Sequence, residues 1–158
     1  MHGINPRRRR TLAAVIQIPT LSLVALAAVA APAEAATIAA ATPVLHFGAD
    51  GTEWTEGTLE AGRPVLVDYD LARLTRCRSQ YAGGDAWSIS VHYRVDGGPI
   101  QRKVVTRLDE TRHNVKAPAS IDLPVGGKDL ELWFQGNDRT GCTEYDSQYG
   151  ANYHYTVS

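Results

Sequence analysis

Trp87-Ser-Ile-Ser-Val-His-Tyr-Arg-Val95 carries an apolar or aromatic side chain at every odd position and a polar one at every even position. A period of two marks a β-strand with one buried face, because successive side chains leave opposite sides of an extended backbone. Asp96-Gly97-Gly98-Pro99 supplies a tight turn. Residues 100–108 are then expected to return as a partner strand, with Ile100, Val104 and Leu108 on one face and Gln101, Lys103 and Arg107 on the other.

Working outward, further strands are expected at 44–48, 64–70, 120–123, 130–134 and 152–157, separated by Gly, Pro and Asp turns. No segment shows a sustained helical stripe. About seven short strands of this kind predict an all-β fold, an immunoglobulin-like antiparallel sandwich. Cys77 falls between the second and third of these strands and Cys142 between the last two, and in such a sandwich those connections meet at one end. A Cys77–Cys142 disulfide is therefore expected. Closing a loop of about 65 residues stabilises by about 4 kcal/mol in the chain-entropy model. The alternatives are a reactive thiol or a metal pair, for which no C-x-x-C or H-x-x-H spacing is present.

The amino-terminal segment reads differently. Arg7 to Arg10 form a basic head, residues 12–31 are mostly apolar, and Ala33-Glu34-Ala35 has the A-x-A form of a cleavage site. Together these predict a secretory signal peptide over 1–35, a flexible lead-in over 36–42 and a single domain over 43–158. Arg9-Arg10-Thr11-Leu12 also leaves a twin-arginine route open. The whole chain has 16 basic and 17 acidic residues; removing Arg7, Arg8, Arg9, Arg10 and Glu34 leaves 12 against 16, about −4. That balance provides no basic footprint for nucleic acid or an anionic membrane surface. The expectation is a secreted monomer whose partner is a polysaccharide or an extracellular protein.

Catalytic signatures are missing: there is no G-x-S-x-G, no H-E-x-x-H and no glycine-rich phosphate loop. No cofactor is expected. His46, His92, His113 and His154 are scattered singly, as surface or cross-strand residues are. Asp68 and Asp70 share a strand face, so a hydrolase built on that pair is the least favoured reading, behind charges that solubilise an outward face or pair with Arg73, Arg76 and Arg78. Asp50, Glu53, Asn137, Asp138, Glu144 and Asp146 offer loop oxygens to a calcium ion, but without EF-hand spacing. A solvated acidic turn is the simpler reading.

Parity nominates the binding surface. In Asp129-Leu-Glu-Leu-Trp-Phe134, Leu130, Leu132 and Phe134 share the inward face, which leaves Trp133 outward. In Asn152-Tyr-His-Tyr-Thr-Val157 the same rule sends Tyr153, Tyr155 and Val157 inward, and Asn152 and His154 outward. If these strands neighbour 87–95, then His92, Trp133 and His154 line one outer face, where an indole flanked by hydrogen-bonding groups can stack on a sugar ring. A loop covering Trp133 is the competing structural reading. Trp87 is in phase with the core and is expected to be structural.

Two resemblances bear on function. Tyr145-Asp-Ser-Gln-Tyr-Gly-Ala-Asn-Tyr153 resembles the Trp-Asp-Asn-Asn-x-Gly-x-Asn-Tyr signature near the end of starch- and glycogen-binding β-sandwich modules. Asp146, Gly150, Asn152 and Tyr153 match; Tyr145, Ser147 and Gln148 depart. The resemblance implies α-glucan contact by Asn152, with Asp146 and Gly150 shaping the turn. Tyr69-Asp70-Leu71-Ala-Arg73-Leu74, Cys77-Arg78 and Trp87 are similar to an uncharacterised group of exported bacterial domains, which implies a small β-sandwich and no particular activity. The function expected is a secreted, non-catalytic recognition module binding polysaccharide through Trp133, Asn152, His154, Asp146 and His92. The alternative is a protein-interaction or inhibitor domain acting through the disulfide-tied loop end.

Overall fold

The computed structural model describes residues 41–158; the leader and most of the lead-in lie outside them. In chain order the strands are β1 (Val44–Phe47), β2 (Glu53–Glu56), β3 (Pro64–Tyr69), β4 (Gln80–Tyr81), β5 (Gly84–Asp85), β6 (Trp87–Val95) and β7 (Gln101–Val104). They continue with β8 (Thr106–Leu108), β9 (Asn114–Lys116), β10 (Ala119–Asp122), β11 (Asp129–Asp138), β12 (Thr143–Asp146) and β13 (Tyr153–Thr156). The fold is all-β, with more strands than the seven expected.

Two sheets form the body. One runs β10-β3-β1-β2; the other runs β12-β11-β6-β7, with β13 also paired to β11. Pairing is antiparallel except between β1 and β3, which run parallel. Two small hairpins, β4–β5 and β8–β9, stand beside them.

The odd positions of β6 behave as the alternation demands: Ile89, Val91 and Tyr93 are buried and pair across to Gly136, Phe134 and Leu132 of β11. Leu45 and Phe47 of β1 and Val65, Val67 and Tyr69 of β3 meet them from the other sheet. The centre is aromatic. Tyr69 stacks on Phe134 at 3.9 Å between ring centroids, and Phe47 meets Phe134 and Tyr153 edge-on at 4.6 and 5.0 Å. Edge-to-face pairs of this kind add about 0.5–1.5 kcal/mol each beyond the area they bury.

The strand expected over 100–108 is corrected in two ways. It breaks after Val104: β7 stays on β6, while β8 leaves to pair with β9. Ile100, Val104 and Leu108 are consequently exposed, and the residue buried there is Val105, whose N–H donates to the Ile89 carbonyl. Two adjacent valines fit either register, and the break after Val104 turns Val105 inward in place of Val104. Trp87 packs against the core but is only half-buried, because it stands at the end of β6 with the Arg78 guanidinium 4.2 Å from its ring centroid.

Cys77 and Cys142 are disulfide-bonded, with Cα atoms 5.3 Å apart. The bond ties the β3–β4 connection to the β11–β12 hairpin. Buried Glu144 holds the same connection by accepting from the N–H groups of Arg76 and Cys77 at 2.9 and 3.1 Å.

Candidate functional site

The sandwich is open along one side. There β2 pairs only with β1 and β13 only with β11, so the two sheets present free edges next to each other. Between them lies a cleft of about 530 Å³ lined from β2 by Glu53, Trp54 and Thr55, and from the far side by Gln148, Asn152 and His154.

Trp54 is placed by register. It pairs with His46, whose neighbours Leu45 and Phe47 point into the core, so both rings project from the outer face of the small sheet. They stack at 4.5 Å with planes 6° apart. That separation is close to the strand spacing of about 4.7–4.9 Å, so the stack runs from β1 to β2. One face of the indole rests on His46, and the other looks past the sheet edge, which leaves the ring 52 % exposed. His46 is itself held between Asp68 Oδ2 at 3.3 Å and Glu56 Oε2 at 3.4 Å.

The opposite wall comes from residues 147–152. Ser147 Oγ accepts from the Gly150 N–H, and Gln148, Tyr149 and Asn152 all adopt left-handed backbone, with φ of 45°, 58° and 59°. Gln148 Nε2 donates to Glu53 Oε2 at 3.1 Å and bridges the cleft. Asn152 Nδ2 donates to Glu131 Oε1 at 2.6 Å, and His154 Nδ1 lies 3.1 Å from Asp129 Oδ2. Glu131 also takes the Arg94 guanidinium; that hydrogen bond, with the Asn152 donor behind it, holds its carboxyl below the usual range.

Beneath the cleft sits a charged knot. Arg73, 8 % exposed along its side chain, donates to Asp146 Oδ2 at 2.7 Å, to Glu53 Oε1 at 3.1 Å and to the Tyr153 hydroxyl at 2.8 Å. It also reaches the Gly48 and Thr52 carbonyls. Asp146 accepts in addition from Tyr69 Oη at 2.9 Å and from Tyr153 Oη. Burial first, then Asp146, raises both tyrosine hydroxyls far above their ordinary range, while burial and then Glu53 push Tyr155 up to about 12. Tyr69 and Tyr153 therefore act as neutral donors to Asp146.

The five nominated residues divide among three places. Trp133 and His92 lie on the outer face of the large sheet as expected, paired in register and stacked at 5.6 Å. Trp133 is half-buried there, and His92 Nε2 is buried with no hydrogen-bond partner. Asn152 and His154 line the edge cleft, with Asn152 bonded to Glu131 on the same strand as Trp133. Asp146 does more than shape a turn, since it is the anion of the Arg73 knot.

Asp68 and Asp70 do not work together. Asp68 is shared by His46 and Lys116, whose Nζ is 2.9 Å away, whereas Asp70 caps the turn at Leu71–Arg73 by accepting from the Ala72 N–H at 2.8 Å. The loop acids considered for calcium are also engaged. Hydrogen bonds from Thr52 lower the Asp50 carboxyl, hydrogen bonds led by Thr140 lower Asp138, and no group of three or more metal-ligating side chains occurs among the described residues.

Sequence reasoning missed two residues of this region. Trp54 lies in Thr52-Glu-Trp-Thr-Glu56, which reads as a polar loop; its one signal is a lone tryptophan set between Glu53 and Glu56. Arg73 stands out in the sequence as one of three nearby arginines and within the 69–78 resemblance, but not as an ion-pair centre, because the anion that claims it lies 73 positions downstream.

No curated protein and no solved structure matches the chain. A family model does match residues 40–158, a span that contains the disulfide, the Arg73 knot and every residue lining the cleft. By that match the chain belongs to the family of unknown function DUF6209.

Proposed function

We propose that the protein is a secreted, non-catalytic recognition module that binds polysaccharide through an outward aromatic and amide surface, and that this surface is the cleft beside Trp54. One observation carries the reading. The Trp54 indole is braced on one face by His46 and open on the other, across a cleft from Gln148, Asn152 and His154. A sugar ring needs an apolar platform for its C–H face and polar groups around its hydroxyl rim, and a rigid indole supplies the first at low entropic cost.

The leader-like amino terminus supports export, and the missing hydrolase signatures support binding without turnover. The resemblance of 145–153 to glucan-binding modules falls on the residues that wall this cleft. Trp133 keeps its outward position in this reading but not its role, because its ring is half-buried against His92 rather than open to a cleft.

Affinity electrophoresis of the protein through gels containing soluble starch or other glucans tests the proposal. Retardation by at least one glucan, lost in Trp54→Ala, is the expected result. Migration unchanged by every glucan sends the function to the disulfide-tied loop end and a protein partner.

A further inference from the structure

Next to the Trp54 cleft is a second one of about 490 Å³, lined by Tyr145, Ser147, Gln148 and Tyr149 together with Gly51, Glu53, Arg73, Asp146 and Tyr153. Glu53, Gln148 and Tyr153 line both clefts, so the two adjoin across the Glu53–Gln148 hydrogen bond. Each volume falls in the range of about 300–1,000 Å³ typical of small-molecule sites.

The second cleft has its own aromatic platforms. Tyr145 pairs with Gln135 on the outward parity of β12 and is 60 % exposed. Tyr149 is fully exposed, and its backbone is held left-handed at φ 58°, ψ 29°. A non-glycine residue in that region costs about 1–3 kcal/mol and persists only where its surroundings impose it. Here the imposed conformation holds a large aromatic ring out in water, where it stabilises nothing in the folded chain. An exposed aromatic pair bordering a cleft is the usual mark of a contact surface.

The charges of the groove are satisfied internally. Glu53 gives one oxygen to Arg73 and the other to Gln148; Asp146 is taken by Arg73, Tyr69 and Tyr153. Arg73 has thereby spent its donors on Asp146, Glu53, Tyr153 and two carbonyls. Among the described residues no unpaired cation lines the groove for a uronate or sulfate, and every carboxylate oxygen of Glu53 and Asp146 already accepts a hydrogen bond.

We propose that the two clefts form one groove that holds several consecutive rings of an uncharged glycan chain, with Trp54 as the platform at one end and Tyr149 and Tyr145 at the other. This rests on the reading of the Trp54 cleft as a glycan site and adds the length and charge class of the ligand. Platforms at both ends of the groove suit the interior of a chain, and the second one makes affinity grow with chain length.

Calorimetry of the protein with disaccharides and hexasaccharides of glucose and mannose tests it, beside alginate and chitosan hexasaccharides as charged counterparts. For the neutral series that binds, the hexasaccharide is expected to bind at least about tenfold more tightly than the disaccharide, and Tyr149→Ala or Tyr145→Ala should bring that ratio close to one. Circular dichroism and melting of both variants should match the parent, since neither ring is buried. A ratio already near one in the parent, a ratio that neither tyrosine variant changes, or tighter binding of a charged hexasaccharide overturns the groove. Each of those results leaves standing a Trp54 cleft whose binding is lost in Trp54→Ala. Failure of every saccharide to bind overturns both readings.

Discussion

The molecule carries two tryptophan–histidine stacks in opposite settings. Trp133 and His92 stand opposite each other on the neighbouring strands β11 and β6 inside the large sheet, and the pair is half-buried. Trp54 and His46 sit on β2 and β1, where β2 is the last strand of its sheet; one indole face has a neighbour and the other has none. The same two residue types thus make part of a wall in one place and a platform in the other. Strand parity tells which side of a sheet a ring leaves from, but availability also depends on whether the strand lies at an edge, which is a property of long-range pairing.

The largest effect expected comes from what supports the edge stack. Arg73 joins Glu53 of β2 to Asp146 of β12 and so fixes the small sheet's edge against the large sheet. Arg73→Ala leaves the half-buried Asp146 without its cation; breaking a fully buried pair costs about 3–5 kcal/mol, so the partial exposure here sets the expected loss at about 2–3 kcal/mol. Urea melts should show that loss. A variant as stable as the parent would mean that the edge is positioned by packing alone.

The same contrast separates what the sequence could disclose from what it could not. Residues 87–95 announced their strand, because the alternation is local and Ile89, Val91 and Tyr93 each obey it. The disulfide was legible from loop order, since Cys77 and Cys142 lie in connections that a sandwich brings together. Residues 104–105 were not: two adjacent valines fit either register, and the choice was made by β8 turning away to β9. Trp54 was hidden for a different reason. A four-residue edge strand bearing two glutamates has no buried face to write an alternation, and all its residues are exposed. Asn152 and His154 were found by parity, but their common boundary with Trp54 required knowing that β2 and β13 are both edges.

Truncating the two tryptophans tests the comparison itself. Trp133→Ala should destabilise by about 2 kcal/mol, below the 3–5 kcal/mol of a fully buried aromatic because the ring is only half-buried, and should leave glucan retardation intact. Trp54→Ala should do the reverse, with a melting temperature near that of the parent and at least about tenfold weaker glucan binding, equivalent to about 1.4 kcal/mol. Loss of binding in Trp133→Ala with an unchanged melting temperature would return the site to the outer face of the large sheet.

The smallest effect expected is a pH dependence from the His92 stack. Burial, and after it the positive charge of Arg102, holds the His92 imidazole below its ordinary value of 6.5. Its Nε2 has no partner that protonation would reward. The unfolded chain therefore takes up this proton at a higher pH than the folded one, so stability rises with pH where the two states differ in protons bound. The His92 contribution is in full above about 6.5 and is lost as pH falls through the lower, folded value. Melting curves of the parent and of His92→Gln should diverge least in mild acid and most above neutrality, with the parent's advantage shrinking as acid is added. If His92→Gln instead leaves the pH dependence of melting unchanged, the stack on the large sheet is not a buried neutral pair, and the contrast between a wall and a platform loses its electrostatic half.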